Sequence, residues 1–350
     1  MKEHSLKYDT VIIGAGQAGL AMGFYLKKMK LNFLIVDENE QVGSNWRRRW
    51  DSLKLFTPSK YNQLPGMGPL QPVNGRTSKN DMARYLEAYA AKFDLPILTG
   101  QRITGLHQID SGYLLETQAA NIQCSNVVVA TGNGVKKIPS FAAEISPEII
   151  QIHSSEYKNE ESLPEGDVLV VGGAASGIEI ALEISRKRKT QLSGEPTFIL
   201  PAILFKLGKF NWWISKHVLS TRTPIGRKAR PGFLRGGAIM PMLYERLNQS
   251  QVIRRPRLAG VKAGLPQCTD GEVIRPHIII WCTGFQPDHS WIKFQLKTEF
   301  GWPLAKRGVV QGVKGLYMLG MPFQHNATSH LVYGVGSDAK YIAKQIKRLD

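Results

Sequence analysis

Two glycine-rich turns, each entered from a short β-branched run, constrain this chain more than any other feature. Thr10-Val-Ile-Ile13 leads into Gly14-Ala-Gly-Gln-Ala-Gly19, and Val168-Leu-Val-Val171 leads into Gly172-Gly-Ala-Ala-Ser-Gly177. In the first, Gly14 permits the tight turn, Gly16 lets main chain approach a pyrophosphate, and Gly19 allows close helix–strand packing. Gln17 and Ala18 open a helix whose N-terminus then faces negative charge. The next strand, Phe33-Leu-Ile-Val36, ends in Asp37 and Glu38, where an acid binds the ribose hydroxyls of a dinucleotide. Asp37 comes first into that position, with Glu38 close behind as the alternative.

The second turn differs. Ala174 replaces the middle glycine, with Ser176 and Gly177 opening the helix, and its second strand, around Gln191-Leu-Ser193, ends at Gly194 and Glu195. An acid there suits free ribose hydroxyls, whereas a 2′-phosphate wants a cation. Lys187, Arg188 and Lys189 precede that strand; they either supply charge from the side or form a solvated helix end. Two dinucleotides held in one chain point to electron transfer between them.

At 350 residues and 43% hydrophobic composition the chain can bury two ordinary cores. No run reaches the length of a membrane span, and Met1–Asp9 leads almost at once into a strand, so no signal peptide and a cytoplasmic location are expected. Cys124, Cys268 and Cys282 have neither metal nor CxxC spacing, and Cys124 and Cys282 read as reduced core residues. The formal charge is +17, and residues 201–250 hold nine Lys or Arg against one acid, Glu245. That excess suits an anionic cofactor or partner. No recognition motif accompanies it, so nucleic-acid binding is not expected.

The pattern predicts an α/β chain of two Rossmann-like dinucleotide-binding domains with three-layer sandwich character, the second inserted into the first. Residues 1–155 form the first part of one domain, 156–285 the inserted domain and 286–350 the return segment. Residues 46–78 are a long loop, and a basic, partly helical stretch at about 204–241, carrying Phe210, Trp212 and Trp213, borders the substrate cleft. Helices are expected at Ala18–Lys28, Asp81–Lys92, Gly177–Arg186 and Ser337–Lys347. Val127-Val-Val-Ala-Thr-Gly132 and Ile278-Ile-Ile-Trp-Cys-Thr-Gly284 echo one another, each a strand ending in Thr-Gly.

Longer blocks carry a sharper signal. Gly14-Ala-Gly-Gln-Ala-Gly-Leu20, Gly43-Ser-Asn-Trp-Arg-Arg-Arg-Trp50 with its continuation to Pro58, Trp281-Cys-Thr-Gly-Phe-Gln-Pro-Asp288, Gly315-Leu-Tyr-Met-Leu-Gly320 and Tyr333-Gly-Val-Gly-Ser-Asp-Ala339 span the chain. Through them it resembles the compact bacterial flavin-containing monooxygenases of the two-dinucleotide-binding-domain flavoproteins. Two departures stand out. The family's Phe-x-Gly-x-x-x-His-x-x-x-Tyr/Phe motif survives only as Gln151-Ile-His153-Ser-Ser-Glu-Tyr157, and Glu195 stands where NADPH-preferring relatives carry Arg.

The resemblance implies FAD on the first domain and NADH or NADPH on the second. A C4a-(hydro)peroxyflavin would oxygenate sulfides, amines or ketones, with a small molecule and O2 as substrates. Thr131, Gly132, Thr283, Gly284, Gly320, Trp46 and Arg47 join the candidate cofactor residues, and a homodimer is a candidate assembly. No catalytic side chain is singled out; His325, His330, Tyr333 and Asn133 are candidates near flavin, and no metal is implied. The rival reading is an NAD(P)H-dependent flavin reductase serving a carrier protein or quinone, and a nucleotide-sensing protein is a third.

Overall fold

The computed structural model describes residues 6–69, 75–132, 134–196, 199, 209–236 and 239–348. Two sheets organise them. Nine strands form the first, in which Ala305–Lys306, Val309–Val310, Leu316–Met318, Ile122–Val129, Leu6–Ile13, Phe33–Val36 and Ile97–Leu98 follow in order, with the hairpin Gly105–Ile109/Gly112–Glu116 joined to Ile122–Val129. Leu6–Ile13 pairs in parallel with both Phe33–Val36 and Ile122–Val129. Residues 305–318 return to the far side of Ile122–Val129 after the whole second sheet has been built, as expected of an inserted domain.

The second sheet orders Ile150–His153, Ile278–Trp281, Val168–Val171, Thr190–Ser193 and Ile253–Arg255, all parallel. Val168–Val171 and Ile278–Trp281 are buried at every position, the mark of strands covered on both faces. Ile150–His153, within the span assigned from sequence to the first domain, belongs to this second sheet. Its ladder with Ile278–Trp281 fixes it there and moves the crossover ahead of Ile150.

Each sheet has helices on one face and β structure on the other, which is the three-layer character. In the first, Gln17–Lys28, Lys79–Lys92 and Val332–Ile346 bury Leu20, Leu86 and Ile342 in one core, while Tyr113, Leu115 and Ile292 cover the opposite face. In the second, Ala175–Ile184 and Pro241–Asn248 lie over one face, and the hairpin Leu258–Lys262/Leu265–Cys268 over the other. Lys79–Lys92 begins where Ser78 accepts the Asp81 N–H as N-cap. The last helix starts at Val332, before the expected Ser337. Its Gly334 lies so close to the Thr328 carbonyl that a β-carbon would come within 1.9 Å, so glycines that weaken the sequence signal are there for packing.

The arginine-rich loop holds the two domains together. Trp50 is buried in the core of the second, beside Tyr157 and Ile178. The Lys79 ammonium, from the first domain, donates to the Arg49 carbonyl at 2.7 Å, the Arg47 carbonyl at 3.2 Å and Asp51 Oδ1 at 2.6 Å. Asp51 Oδ2 accepts from Asn159 of the second domain at 2.7 Å, and these bonds hold the Asp51 carboxyl below its usual range. Lys79→Met strands two carbonyls and a carboxylate. It is expected to lower stability by about 3 kcal/mol, read as a shift in denaturant midpoint at constant slope.

Among the described residues no helix is long and apolar enough to cross a membrane. Cys124, Cys268 and Cys282 are all free and buried, and burial pushes each thiol above its ordinary value, Cys124 to about 12.

Candidate functional site

The first glycine turn has the geometry its spacing predicts. Gly14 has φ +108°, and a β-carbon there would come within 2.5 Å of the Ala130 carbonyl. At Gly19 it would come within 1.8 Å of the Gly14 carbonyl, so helix and strand meet only through glycine. Around Gly16 a β-carbon would meet nothing within 4 Å. Gly16 is also the N-cap of Gln17–Lys28 and offers no side chain to the first helical N–H groups. The result is an open cradle with uncapped donors, the arrangement that receives a pyrophosphate.

Asp37 is fastened beside that cradle. Its Oδ2 accepts the Ala15 N–H at 2.6 Å, and its Oδ1 accepts from the Asn39 backbone at 2.8 Å and side chain at 2.7 Å. Oδ2 keeps a lone pair for one more donor, such as a ribose hydroxyl. Glu38 instead faces solvent, 3.7 Å from Arg102. Of the two acids, Asp37 stands at the turn. Gly320, with φ +89°, packs against Ala18, and its N–H donates to Gln324 Oε1 at 3.0 Å, bringing the return segment to the same cradle.

Arg47 is committed elsewhere: its guanidinium reaches the Val42 carbonyl at 2.9 Å and Glu87 at 2.5 Å. Trp46 is half-buried against the first core. Arg49 faces the domain junction, with its guanidinium 5.4 Å from the centroid of the Phe285 ring. Phe285 follows Thr283 and Gly284, and Gly284 lies at φ +82°. Thr131 and Gly132 are exposed at the matching turn of the first sheet, whereas Asn133 lies outside the described residues.

The shortened His motif has a structural task. The Ser155 N–H donates to His153 Nδ1 at 3.2 Å, and Nε2 sits 3.0 Å from the Gly284 carbonyl. These partners fix the neutral tautomer with its proton on Nε2. Burial, the largest cause, lowers the pKa of this fully enclosed ring. Tyr157 donates to Glu183 at 2.8 Å. His153 therefore pins the Thr-Gly turn.

The second cradle repeats the first. Gly172 (φ +121°) lies against the Cys282 carbonyl, Gly177 against the Gly172 carbonyl, and Gly173 against the Gly194 carbonyl. Ala174 occupies the N-cap of Ala175–Ile184 with no side-chain cap, and Ser176 lies in the first helical turn. Lys187, Arg188 and Lys189 are paired with Glu161, Glu160 and Asp167 at 2.9, 2.7 and 2.7 Å, at the opposite end of the strand from Glu195. They are the solvated helix end, and they bring no charge to the cradle.

Tyr333, at the start of the last helix, joins Tyr61 and Trp212 in an aromatic cluster with ring centroids 5.0–6.3 Å apart. Trp212 belongs to the helix Lys209–His217 of the basic stretch, which continues in Pro224–Gly236. This stretch rests on the return segment, where Thr221 bonds the His325 carbonyl at 2.8 Å and Ala327 bonds the Leu219 carbonyl at 2.9 Å. Residues 204–208 and 237–238 of the stretch expected at about 204–241 lie outside the described residues. Burial pulls the pKa values of His325 and His330 down to about 4, so both are neutral at pH 7. Tyr61 and Trp50 were not singled out from sequence. A loop aromatic with no periodic partner gives no signal of what it will meet.

Residues 11–192 match the family described as pyridine nucleotide-disulphide oxidoreductase. The chain is 36% identical to the Bacillus subtilis (strain 168) protein named "Uncharacterized oxidoreductase CzcO", over 97% of this chain and 99% of that one. It is 26% identical to the probable indole-3-pyruvate monooxygenase YUCCA7 of Arabidopsis thaliana, covering 96% and 86% of the two chains. Its fold is that of a flavin-containing monooxygenase from Stenotrophomonas maltophilia, with a TM-score of 0.78 at 23% identity, covering 98% and 99%.

Proposed function

The chain belongs to the pyridine nucleotide-disulphide oxidoreductase family, and from that premise we propose that it is an FAD-dependent monooxygenase driven by NADH or NADPH. FAD is assigned to the first cradle, in the unit formed by residues 1–155 (less the strand Ile150–His153) and the return segment 286–350. The nicotinamide coenzyme is assigned to the second, within 156–285. Bound FAD would supply hydride acceptance and the activation of O2.

The residues have separate tasks in this reading. The uncapped N–H groups after Gly16 bind the pyrophosphate and Asp37 takes a ribose hydroxyl. Gly320 closes the cradle from the return segment. Tyr61, Trp212 and Tyr333 wall the approach to the flavin and keep water out. His325 and His330, neutral over the physiological range, put no ionised group beside the chemistry.

One observation favours oxygenation over the disulphide branch of the family: every cysteine is buried and its thiolate disfavoured, so no thiol is available for exchange. The substrate class is then a soft nucleophile, a sulfide or amine, or a ketone. The test supplies NADH, 18O2 and a panel of thioethers, tertiary amines and cyclic ketones, and follows label by mass spectrometry. One labelled atom in product supports the reading. Recovery of all consumed oxygen as peroxide, with rapid reduction of quinones or a carrier protein, overturns it in favour of a reductase.

A further inference from the structure

The strand end beside the second cradle holds a cation that no motif announces. Gly194 follows Thr190–Ser193, lies against Gly173 of the turn, and donates its N–H to the Arg255 carbonyl at 3.2 Å. The neighbouring strand Ile253–Arg255 is thereby drawn to the mouth of the cradle, with Ser193 opposite Arg255 in register. Arg255 is spoken for, bonding Gln191 at 2.7 Å and Glu272 at 2.8 Å. Arg254 bonds Glu195 Oε2 at 2.7 Å and Asn248 at 3.4 Å, and its guanidinium carbon lies 5.4 Å from the centroid of the Tyr244 ring. Its buried Nε has no hydrogen-bond partner among the described residues.

We propose that Arg254 is a masked subsite for a phosphomonoester, the 2′-phosphate of a nicotinamide dinucleotide, and that Glu195 is the mask. The inference rests on the assignment of the nicotinamide coenzyme to this cradle. While Glu195 holds the guanidinium, the pair has no net charge and the carboxylate repels a 2′-phosphate. The same carboxylate offers acceptor oxygens to the ribose hydroxyls of an unphosphorylated coenzyme. Without the carboxylate, the guanidinium offers its terminal nitrogens, a fork suited to bidentate phosphate binding. Coenzyme choice is thus set by a pair drawn from two strands, and its cation comes from the edge strand of the second sheet.

The test is binding of oxidised NAD+ and NADP+ to the purified flavoprotein by calorimetry, where no turnover intervenes. Wild type should favour NAD+. Glu195→Gln should raise NADP+ affinity about tenfold and weaken NAD+ severalfold. The double variant Glu195→Gln/Arg254→Gln should lose the NADP+ gain while flavin content and circular dichroism stay as in wild type. If Glu195→Gln leaves the NADP+/NAD+ ratio unchanged, or if the gain survives in the double variant, the subsite does not exist. Failure of wild type to bind either nucleotide would instead overturn the coenzyme assignment.

Discussion

Gly16→Asp is expected to leave the apoprotein at least as stable as wild type and yet to abolish FAD retention. Gly16 has ordinary extended dihedrals, φ −76° and ψ −173°, and open space where a β-carbon would go. Aspartate at this N-cap would satisfy the free N–H groups, a change that by itself stabilises a helix by a few tenths of a kcal/mol. The same carboxylate occupies the cradle and repels a pyrophosphate, so FAD affinity should fall by at least about a hundredfold, roughly 3 kcal/mol. Gly19→Ala should behave in the opposite way. A β-carbon 1.8 Å from the Gly14 carbonyl forces the first helix off its strand, and a loss of more than about 4 kcal/mol in the apoprotein is expected. Thermal melts of the apoproteins and flavin fluorescence titrations separate the two effects. Equal destabilisation by both substitutions would mean that Gly16 is a packing glycine and the cradle is not open.

The second large effect is a contribution of Glu179 to stability that is lost as pH rises toward neutrality. Burial in the helix Ala175–Ile184 pushes its carboxyl up to about 7, against the opposing pull of Arg76 and Arg246. Between the ordinary carboxylate range and pH 7 the native state keeps a proton that the unfolded chain has lost. This contribution is therefore greatest below that window, falls through it and is flat above pH 7 or so, with a total change of up to about 3 kcal/mol. Asp51 and Glu156 act with the opposite sign. Hydrogen bonds to Lys79 and Lys136 hold them below their ordinary values, so their contribution is present above the ordinary carboxylate range and lost as acid protonates them. The buried His325 and His330, pulled down to about 4, stabilise the protein as pH rises, so Glu179 is read by difference: the gap in denaturant midpoint between wild type and Glu179→Gln should be wider at pH 5.5 than at pH 8. A gap between wild type and Glu179→Gln that is the same at both pH values would show that Glu179 titrates with its ordinary value.

Sequence patterns disclosed the parts of this molecule that repeat or that admit only one residue type. The two glycine turns and the fully apolar strands after and before them were legible because each follows from local geometry. Asp37 was ranked over Glu38 from the end of the buried strand alone, and it is Asp37 that bonds the turn. The start of the last helix was misplaced because Gly334 and Gly336 answer to Thr328 and Pro65, residues remote or unpatterned in sequence. Arg254 was illegible for the same reason: a charged residue on a short strand looks like any surface arginine until the neighbouring strand end is known. The domain-spanning contacts of Trp50, Asp51 and Lys79 join segments that share no periodicity.

The two connections between the sheets have a mechanical consequence. Val135–Lys136 and Phe285–Gln286 pair antiparallel, and Gly134 lies so close to the Gln286 carbonyl that a β-carbon would come within 2.1 Å. The first connector leaves from Ala130, whose carbonyl backs Gly14, and the second leaves from Cys282, whose carbonyl backs Gly172. Two segments tied to one another cannot swing independently, so this short ladder, with the arginine-rich loop, limits how one lobe rocks on the other. Each end of the ladder is anchored behind one nucleotide seat. The ladder and the arginine-rich loop together set the span between the seats, and insertions in the ladder should disturb electron transfer well before they disturb folding.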